Sequence, residues 1–172
     1  MRRVRYGVGM SLDGFIADHR DGTSWMTGDP AYDSRPFFAS IDTVLVGRRS
    51  YEVMLRHRTR SYPGLRTYVF SRTLRAMDHP EVTMVGDGVA TVAELRAADG
   101  KDIWLSGGGD LFRSLLEAGL VDTIELGVCP ILLGQGRPFL PTTPRSHPLR
   151  LTHQQAFPSG LLVLHYDVAR AQ

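Results

Sequence analysis

The stretch Ile103-Trp104-Leu105-Ser106-Gly107-Gly108-Gly109-Asp110-Leu111-Phe112 joins a short apolar run to a helical pattern through three consecutive glycines. The apolar run predicts a buried strand, and Leu111, Leu115 and Leu116 recur at helical spacing. Bare backbone between a strand and a helix start lets N–H groups approach an anionic ligand. The alternative is a tight connection that needs glycine for packing alone, but three glycines in succession favour the ligand. The spacing is not the G-x-G-x-x-G fingerprint, so an ordinary Rossmann domain is not implied.

Length and composition indicate one globular domain over residues 1–172. The 20 basic residues, all arginine except Lys101, are scattered and leave a net charge of only +2, which argues against nucleic-acid binding. No apolar run reaches the ~20 residues that cross a membrane. Cys129 is the single cysteine, so an intrachain disulfide is excluded. With no apolar signal core after Met1-Arg2-Arg3, we expect a cytoplasmic protein.

Strand and helix signals alternate along the chain and then give way to two final strands. This order predicts an α/β fold: a mixed, mostly parallel sheet of about eight strands, helices on both faces and a C-terminal antiparallel hairpin. We expect loops at Met10–Asp33 and Gly134–Pro138, and an exposed sheet edge at Leu161–His165. The predicted strands are Arg3–Gly9, Thr43–Val46, Thr67–Phe70, Val82–Val85, Ile103–Leu105, Thr123–Val128, Leu149–Ala156 and Leu161–Val168. The predicted helices are Pro36–Ser40, one that opens at Gly47–Ser50, Val92–Ala98 with Thr91 as its cap, and Asp110–Ala118.

Three predicted turns at strand ends suit phosphate groups, and they are Gly47–Ser50, Ser71–Thr73 and Ser106–Gly109. In an open parallel sheet ligands bind at the carboxyl ends of the strands. The first and third turns also open helices, whose free N–H groups favour anions. Together they predict a phosphorylated nucleotide, and an extra phosphate on an adenosine ribose would explain Arg72 or Arg49.

Other chemistries have weaker support. The six histidines occur singly, so no metal site is predicted. There is no Gly-Lys-Ser/Thr of a P-loop and no G-x-S-x-G of a hydrolase. Asp13 precedes Gly14, and a turn role is its default. Asp29 and Asp33 are either carboxylates that face a substrate or solvated acids of a loop.

Six segments in order resemble the dihydrofolate reductase-like family, specifically the reductase domain of riboflavin biosynthesis (the RibD C-terminal domain) and its stand-alone relatives. They cover nearly the whole chain and are Met10–Ala17, Val46–Glu52, Phe70–Leu74, Ser106–Leu111, Leu115–Asp122 and Pro130–Gly136.

The resemblance implies a small-molecule reductase, commonly a homodimer, that transfers a hydride from NADPH to a C=N bond or an open-chain ribose carbonyl. The implied cofactor-binding residues are Gly47, Arg48, Arg49, Ser50, Ser71, Arg72, Ser106, Gly107, Gly108, Gly109, Asp110 and Leu111. The implied substrate-binding residues are Ser11, Asp13, Gly14 and Phe15, and the implied catalytic residues are Trp25, Thr27 and Asp29.

Departures from the family pattern leave three functions open. Phe15 stands where riboflavin reductases usually have lysine, and the Ala-Arg pair expected after Trp25 is missing. Asp29 is the nearest counterpart of the acid of dihydrofolate reductase. The chain is therefore expected to reduce a ribosylaminopyrimidine phosphate or similar heterocycle, to reduce dihydrofolate, or to bind NADPH with little turnover.

Overall fold

The structure, a computed structural model, describes residues 1–169 and confirms the eight-stranded mixed sheet. Its strands are β1 (Val4–Ser11), β3 (Ile41–Gly47), β4 (Arg66–Phe70), β5 (Thr83–Val85), β6 (Asp102–Gly107), β7 (Thr123–Cys129), β9 (Leu149–Ala156) and β10 (Leu162–Val168). Their order in space is β5-β4-β3-β6-β1-β7-β10-β9. The first six of these are mutually parallel, and β10 runs antiparallel to both β7 and β9.

Helices cover both faces of the sheet. They are α1 (Arg35–Ala39), α2 (Arg48–Arg56), α3 (Gly88–Ala97) and α4 (Gly109–Glu117), with a short 3-10 helix at Ala76–Asp78. On one face, Phe112 and Leu115 of α4 pack with Tyr6, and the Tyr6 and Phe112 rings stack at 3.9 Å. On the other face, Tyr51 of α2 packs against Val44 of β3. Burial of apolar side chains such as these is the dominant favourable contribution to folding.

Helix α3 starts four residues earlier than predicted. Asp87, not Thr91, is its N-cap, and the Asp87 carboxylate accepts hydrogen bonds from the amides of Val89 and Ala90. The Thr91 hydroxyl instead donates to the Asp87 carbonyl at 2.9 Å. The predicted start was wrong because Thr91 was taken as the cap, although Asp87, four residues earlier, is also a strong N-cap residue.

The two predicted loops pair with each other. Within Met10–Asp33, β2 (Phe15–Asp18) forms an antiparallel ribbon with β8 (Gly136–Pro138), which lies in the predicted loop Gly134–Pro138. A side chain at Gly136 would collide with the carbonyl oxygen of Ala17. The ribbon was missed because its strands are short and lie far apart in the sequence.

The C-terminal hairpin is present as predicted, but the exposed edge is not Leu161–His165. Strand β10 lies between β7 and β9, so β9 forms this edge of the sheet and β5 forms the other. All eight residues of β9 are exposed, among them Leu149 and Leu151.

Arg2 is buried at the amino end of the sheet and is 4% exposed. Its guanidinium donates to the Lys101 carbonyl at 2.6 Å, to the Thr43 hydroxyl at 2.7 Å and to the Asp42 carboxylate. These contacts fasten the chain start to β3 and to the loop before β6. Within residues 1–169 no helix has the length and apolar character needed to span a bilayer. The same residues contain no cluster of three or more potential metal ligands.

Candidate functional site

A cleft of about 1230 Å³ opens at the carboxyl ends of β3, β4, β5 and β6. Its position follows from topology, because parallel strands deliver their C-terminal turns to one edge of the sheet. The structure brings all of the predicted cofactor-binding residues to this cleft. Those residues are Gly47, Arg48, Arg49, Ser50, Ser71, Arg72, Ser106, Gly107, Gly108, Gly109, Asp110 and Leu111.

The turn after β3 and the turn after β6 are in direct contact. A Cβ at Gly47 would lie 3.2 Å from the Gly108 nitrogen, and a Cβ at Gly107 would lie 3.0 Å from the Ser50 hydroxyl. Gly107 also has φ +149°, which disfavours any side chain. Neither α2 nor α4 has a side-chain cap, so their first N–H groups remain available at the cleft.

Two guanidinium groups at the cleft have no salt-bridge or hydrogen-bond partner within residues 1–169. Arg48 pairs with Glu52 at 2.7 Å, but Arg49 and Arg72 make no salt bridge or hydrogen bond with any part of residues 1–169. Both side chains are exposed. The Ser71 hydroxyl is used locally, because it accepts hydrogen bonds from the amides of Thr73 and Leu74. The turn after β4 is thereby fixed and presents Arg72.

A fourth turn also lines the cleft and was missed from the sequence. Gly86, Asp87, Gly88 and Val89 connect β5 to α3 and border the same space. Here the Asp87 carboxylate already satisfies the first amides of the helix. This turn therefore presents a carboxylate, which accepts hydrogen bonds, whereas the turns that open α2 and α4 present backbone N–H groups, which donate them. The Asp-Gly pair ahead of a helical pattern was the available signal.

The rest of the cleft wall is aromatic and apolar. Tyr62 and Trp104 lie edge to face with ring centroids 4.9 Å apart, and Met26 and Met54 border the same region. Gly9 allows this packing, because a Cβ there would lie 2.8 Å from the Met26 sulfur. The wall suits a planar ring, for which sulfur and aromatic contacts are favourable.

An ion pair also lines the cleft. Arg137 of β8 donates to Asp21, which follows β2, at 2.6 Å, and both residues line the cleft. The hydrogen bond from Arg137 lowers the pKa of Asp21, with further contributions from the charges of Arg49 and Arg56. Sequence reasoning missed this pair because its members are 116 positions apart.

The predicted catalytic residues lie outside the cleft lining. Asp29 accepts hydrogen bonds from the amides of Ala31 at 2.8 Å and Ser159 at 3.0 Å, so it ties the loop to the C-terminal hairpin. These bonds lower the pKa of Asp29, which makes it a poor proton donor near neutral pH. Trp25 packs with the cluster around Phe157, and the Thr27 carbonyl faces Cys129.

The predicted substrate-binding segment also lies beside the cleft rather than in it. The Ser11 hydroxyl donates to Asp13 at 2.6 Å and accepts from the Phe15 amide at 2.9 Å. Asp13 in turn accepts from the Gly134 amide at 2.7 Å, and Gly14 turns the chain with φ +89°. These contacts hold the β1–β2 turn, and the next residues, Ile16 and Ala17, reach the cleft.

Two curated relatives resemble the chain over nearly its full length. It is 29% identical over 177 residues to the uncharacterised protein YyaP of Bacillus subtilis (strain 168), covering 96% of this chain and 94% of that protein. It is 30% identical over 172 residues to the uncharacterised protein YwjB of the same organism, covering 96% and 97%.

Solved structures and a family model agree on the classification. A candidate riboflavin biosynthesis protein of Shewanella sp. PV-4 superposes with TM-score 0.81 at 25% identity, covering 99% of this chain and all of that one. Dihydrofolate reductase of Enterococcus faecalis, solved with NADP(H), shares the fold at 17% identity with TM-score 0.68, covering 96% of this chain and 94% of that one. The model of the RibD C-terminal domain matches residues 2–163. The chain therefore belongs to the RibD C-terminal domain family, whose fold is that of dihydrofolate reductase.

Proposed function

We propose that this chain is a single-domain, NADPH-dependent reductase that transfers a hydride to a heterocyclic or ribosylamine substrate. The reaction would resemble that of 5-amino-6-(5-phosphoribosylamino)uracil reductase, an activity named for a Thermotoga maritima protein of the same fold (18% identity, TM-score 0.68, 98% of this chain and 57% of that one). The carrying observation is one cleft in which three strand-end turns meet beside the unpaired guanidiniums of Arg49 and Arg72.

The residues present fit a dinucleotide phosphate. Uncapped helix starts at α2 and α4 supply N–H donors for a pyrophosphate. Gly47, Gly107 and Gly108 leave the backbone bare where a phosphate would approach, and Arg72 or Arg49 would hold a ribose phosphate. The bound cofactor would supply the hydride, and the protein would supply position and charge.

The aromatic part of the cleft is assigned to the substrate. Met26, Met54, Tyr62 and Trp104 would hold a planar ring within reach of the cofactor, since hydride transfer needs reacting atoms about 3–3.5 Å apart. Water would deliver the proton, because Asp29 is engaged by two amides away from this wall. This geometry favours the riboflavin-type reaction over a dihydrofolate-type reaction that relies on Asp29.

Cofactor titration followed by a substrate panel tests the proposal. NADPH at 100 times its Kd should raise the free energy of unfolding by about 2.7 kcal/mol, and NADH at the same concentration should raise it less. NADPH oxidation should then proceed with 5-amino-6-(5-phosphoribosylamino)uracil faster than with dihydrofolate. If neither NADPH nor NADH stabilises the protein, the proposal is refuted. Binding without turnover across pyrimidines, pterins and carbonyls would instead support the third function, a binding protein.

We further propose a cytoplasmic homodimer. The free, buried Cys129 and the proposed reducing cofactor support the location. The exposed edge strand β9, with Leu149 and Leu151 uncovered, supports pairing, because such edges are otherwise aggregation sites.

Light scattering should give twice the 19.1 kDa of one chain. Leu151→Asp should shift the protein to monomer by placing a charge on the exposed edge. Met77→Asp is the matched control, since Met77 is exposed, lies in the 3-10 helix between β4 and β5 at the opposite edge of the sheet from β9, and should leave the mass unchanged. A monomeric wild-type protein at micromolar concentration would contradict the dimer.

A further inference from the structure

The Tyr62 hydroxyl on the aromatic wall has no role in the cofactor assignment above, and its neighbour Ser106 is one of the predicted cofactor-binding residues. The Tyr62 hydroxyl lies 3.1 Å from the Ser106 hydroxyl, and both residues line the cleft. Ser106 is the last residue before the glycine turn, and Tyr62 belongs to the wall formed with Trp104. The pair therefore stands at the boundary between the phosphate-binding turns and the planar-ring region.

Tyr62 is held firmly in this place. It begins a turn in which the Leu65 amide donates to the Tyr62 carbonyl at 3.0 Å. Pro63 and Gly64, with φ +77° at Gly64, suit the second and third positions of a type II turn. The Tyr62 amide also donates to the buried Thr67 hydroxyl at 3.4 Å. A side chain fixed at its backbone and against a ring loses little entropy when it binds a ligand.

Hydrogen-bond counting leaves this pair with spare capacity. Two hydroxyls carry two hydrogens, and only one is used in the bond between them. The Trp104 indole, in contrast, is committed, because it donates to the Gly7 carbonyl at 2.9 Å. Within residues 1–169, neither the Tyr62 nor the Ser106 hydroxyl makes a further hydrogen bond. The pair can thus donate one bond and accept others at the edge of a bound ring.

We propose that Tyr62 is a specificity-determining residue, whose hydroxyl, paired with Ser106, hydrogen-bonds a carbonyl or amide edge of the substrate ring. The proposal rests on the proposed function, since it assigns the aromatic wall to the hydride acceptor. Rings with a polar edge at this position are selected over rings without one. A site built to hydrogen-bond a polar group rejects an analogue that lacks it.

The experiment uses two ring probes that do not require turnover. Pteridine-2,4-dione carries ring carbonyls, and unsubstituted pteridine has the same ring without them. Tyr62→Phe removes only one oxygen atom, and it should weaken dione binding by about 5- to 10-fold, the worth of one hydrogen bond. Binding of unsubstituted pteridine should change less than twofold. In steady-state assays with a reducible substrate of this ring class, KM should rise more than kcat falls.

Controls separate this role from a structural one. Tyr32→Phe alters a tyrosine outside the cleft and should leave both affinities unchanged. Ser106→Ala should reproduce the selective loss for the dione. Equal losses for both probes, no loss in Tyr62→Phe, or no dione binding to the wild type would each overturn the proposal. The NADPH titration tests the proposed function and does not involve the ring probes. The ring titrations are run with and without cofactor, so a failure of the Tyr62 proposal can be told apart from a failure of cofactor binding.

Discussion

Arg72→Ala should weaken NADPH binding by about 10- to 100-fold and leave NADH binding nearly unchanged. One hydrogen bond to a charged group contributes about 1.5–3 kcal/mol, and each 1.4 kcal/mol is tenfold in affinity. Arg72 is exposed at the cleft and free of internal partners within residues 1–169, so its guanidinium is available to a ribose phosphate. Calorimetric titration with both cofactors measures the difference.

Arg75→Ala is the matched control for this change. Arg75 lies three residues further on, is paired with Asp78 at 3.4 Å and does not line the cleft. Its loss should leave both affinities unchanged. A selective loss of NADPH binding in Arg49→Ala but not in Arg72→Ala would assign the ribose phosphate to Arg49 at the start of α2. Equal losses for NADPH and NADH in both variants would refute a phosphate-specific role.

Local signals in the sequence were sufficient for most of the fold. Apolar runs such as Ile103–Leu105 marked buried strands, and glycine turns marked where strands pass into helices. The order of elements then fixed a mostly parallel sheet, because short helical crossovers connect parallel neighbours. The same logic predicted that the three turns proposed to bind the cofactor lie together, since parallel strands share one carboxyl edge.

Features that depend on contacts between residues far apart in the chain could not be predicted from the sequence. The β2–β8 ribbon joins segments about 120 positions apart, and neither segment has a periodic pattern long enough to predict a strand. Asp21 and Arg137 meet only because of that ribbon. Tyr62 reaches the cleft only because its turn folds over Trp104 of β6. In each case the tertiary register, not the local sequence, decides which side chains meet.

Asp29 illustrates how the contacts of a loop carboxylate bear on a predicted catalytic role. From the sequence it was an acid near a tryptophan in a long loop, which suits either role. In the structure both of its oxygens accept backbone amide bonds, which favour the charged form. These two bonds connect the loop to the C-terminal hairpin. The catalytic role of Asp29 rests on resemblance to dihydrofolate reductase, where Asp29 is only the nearest counterpart of the acid, and it stays a prediction.

The largest effect on stability is expected at the other end of the sheet, in Arg2→Met. Removal of one member of a buried ion pair typically costs about 3–5 kcal/mol, because the remaining polar groups lose their partner. We expect about 3 kcal/mol, the lower end of that range. Arg66 still faces Asp42 at 3.3 Å and the Lys101 amide still donates to it at 3.0 Å. For a domain of this size the melting temperature should fall by about 6–12 °C.

Acid titration provides a second readout for the same variant. Burial acts to raise the pKa of Asp42, but the hydrogen bonds from Thr43 and the Lys101 amide and the charge of Arg2 together bring it below its ordinary value of 3.8. A carboxylate with a lowered folded-state pKa stabilises the protein above its unfolded pKa, and this contribution is lost as the pH falls through the folded value. Without the charge of Arg2 the pKa of Asp42 is lowered less. When the pH falls from neutral to below 3.8, the free energy of unfolding should therefore decrease less in Arg2→Met than in the wild type.

Arg3→Met is the control, because it removes the neighbouring arginine from an exposed pair. The Arg3 side chain is 53% exposed and contacts Asp167 at 3.0 Å, so its loss should cost less than about 1 kcal/mol. Urea unfolding followed by circular dichroism compares the two variants at pH 7. Similar costs for Arg2→Met and Arg3→Met would mean that solvent reaches Arg2 in the folded protein. In that case the start of the chain would not be fastened to β3 by its guanidinium.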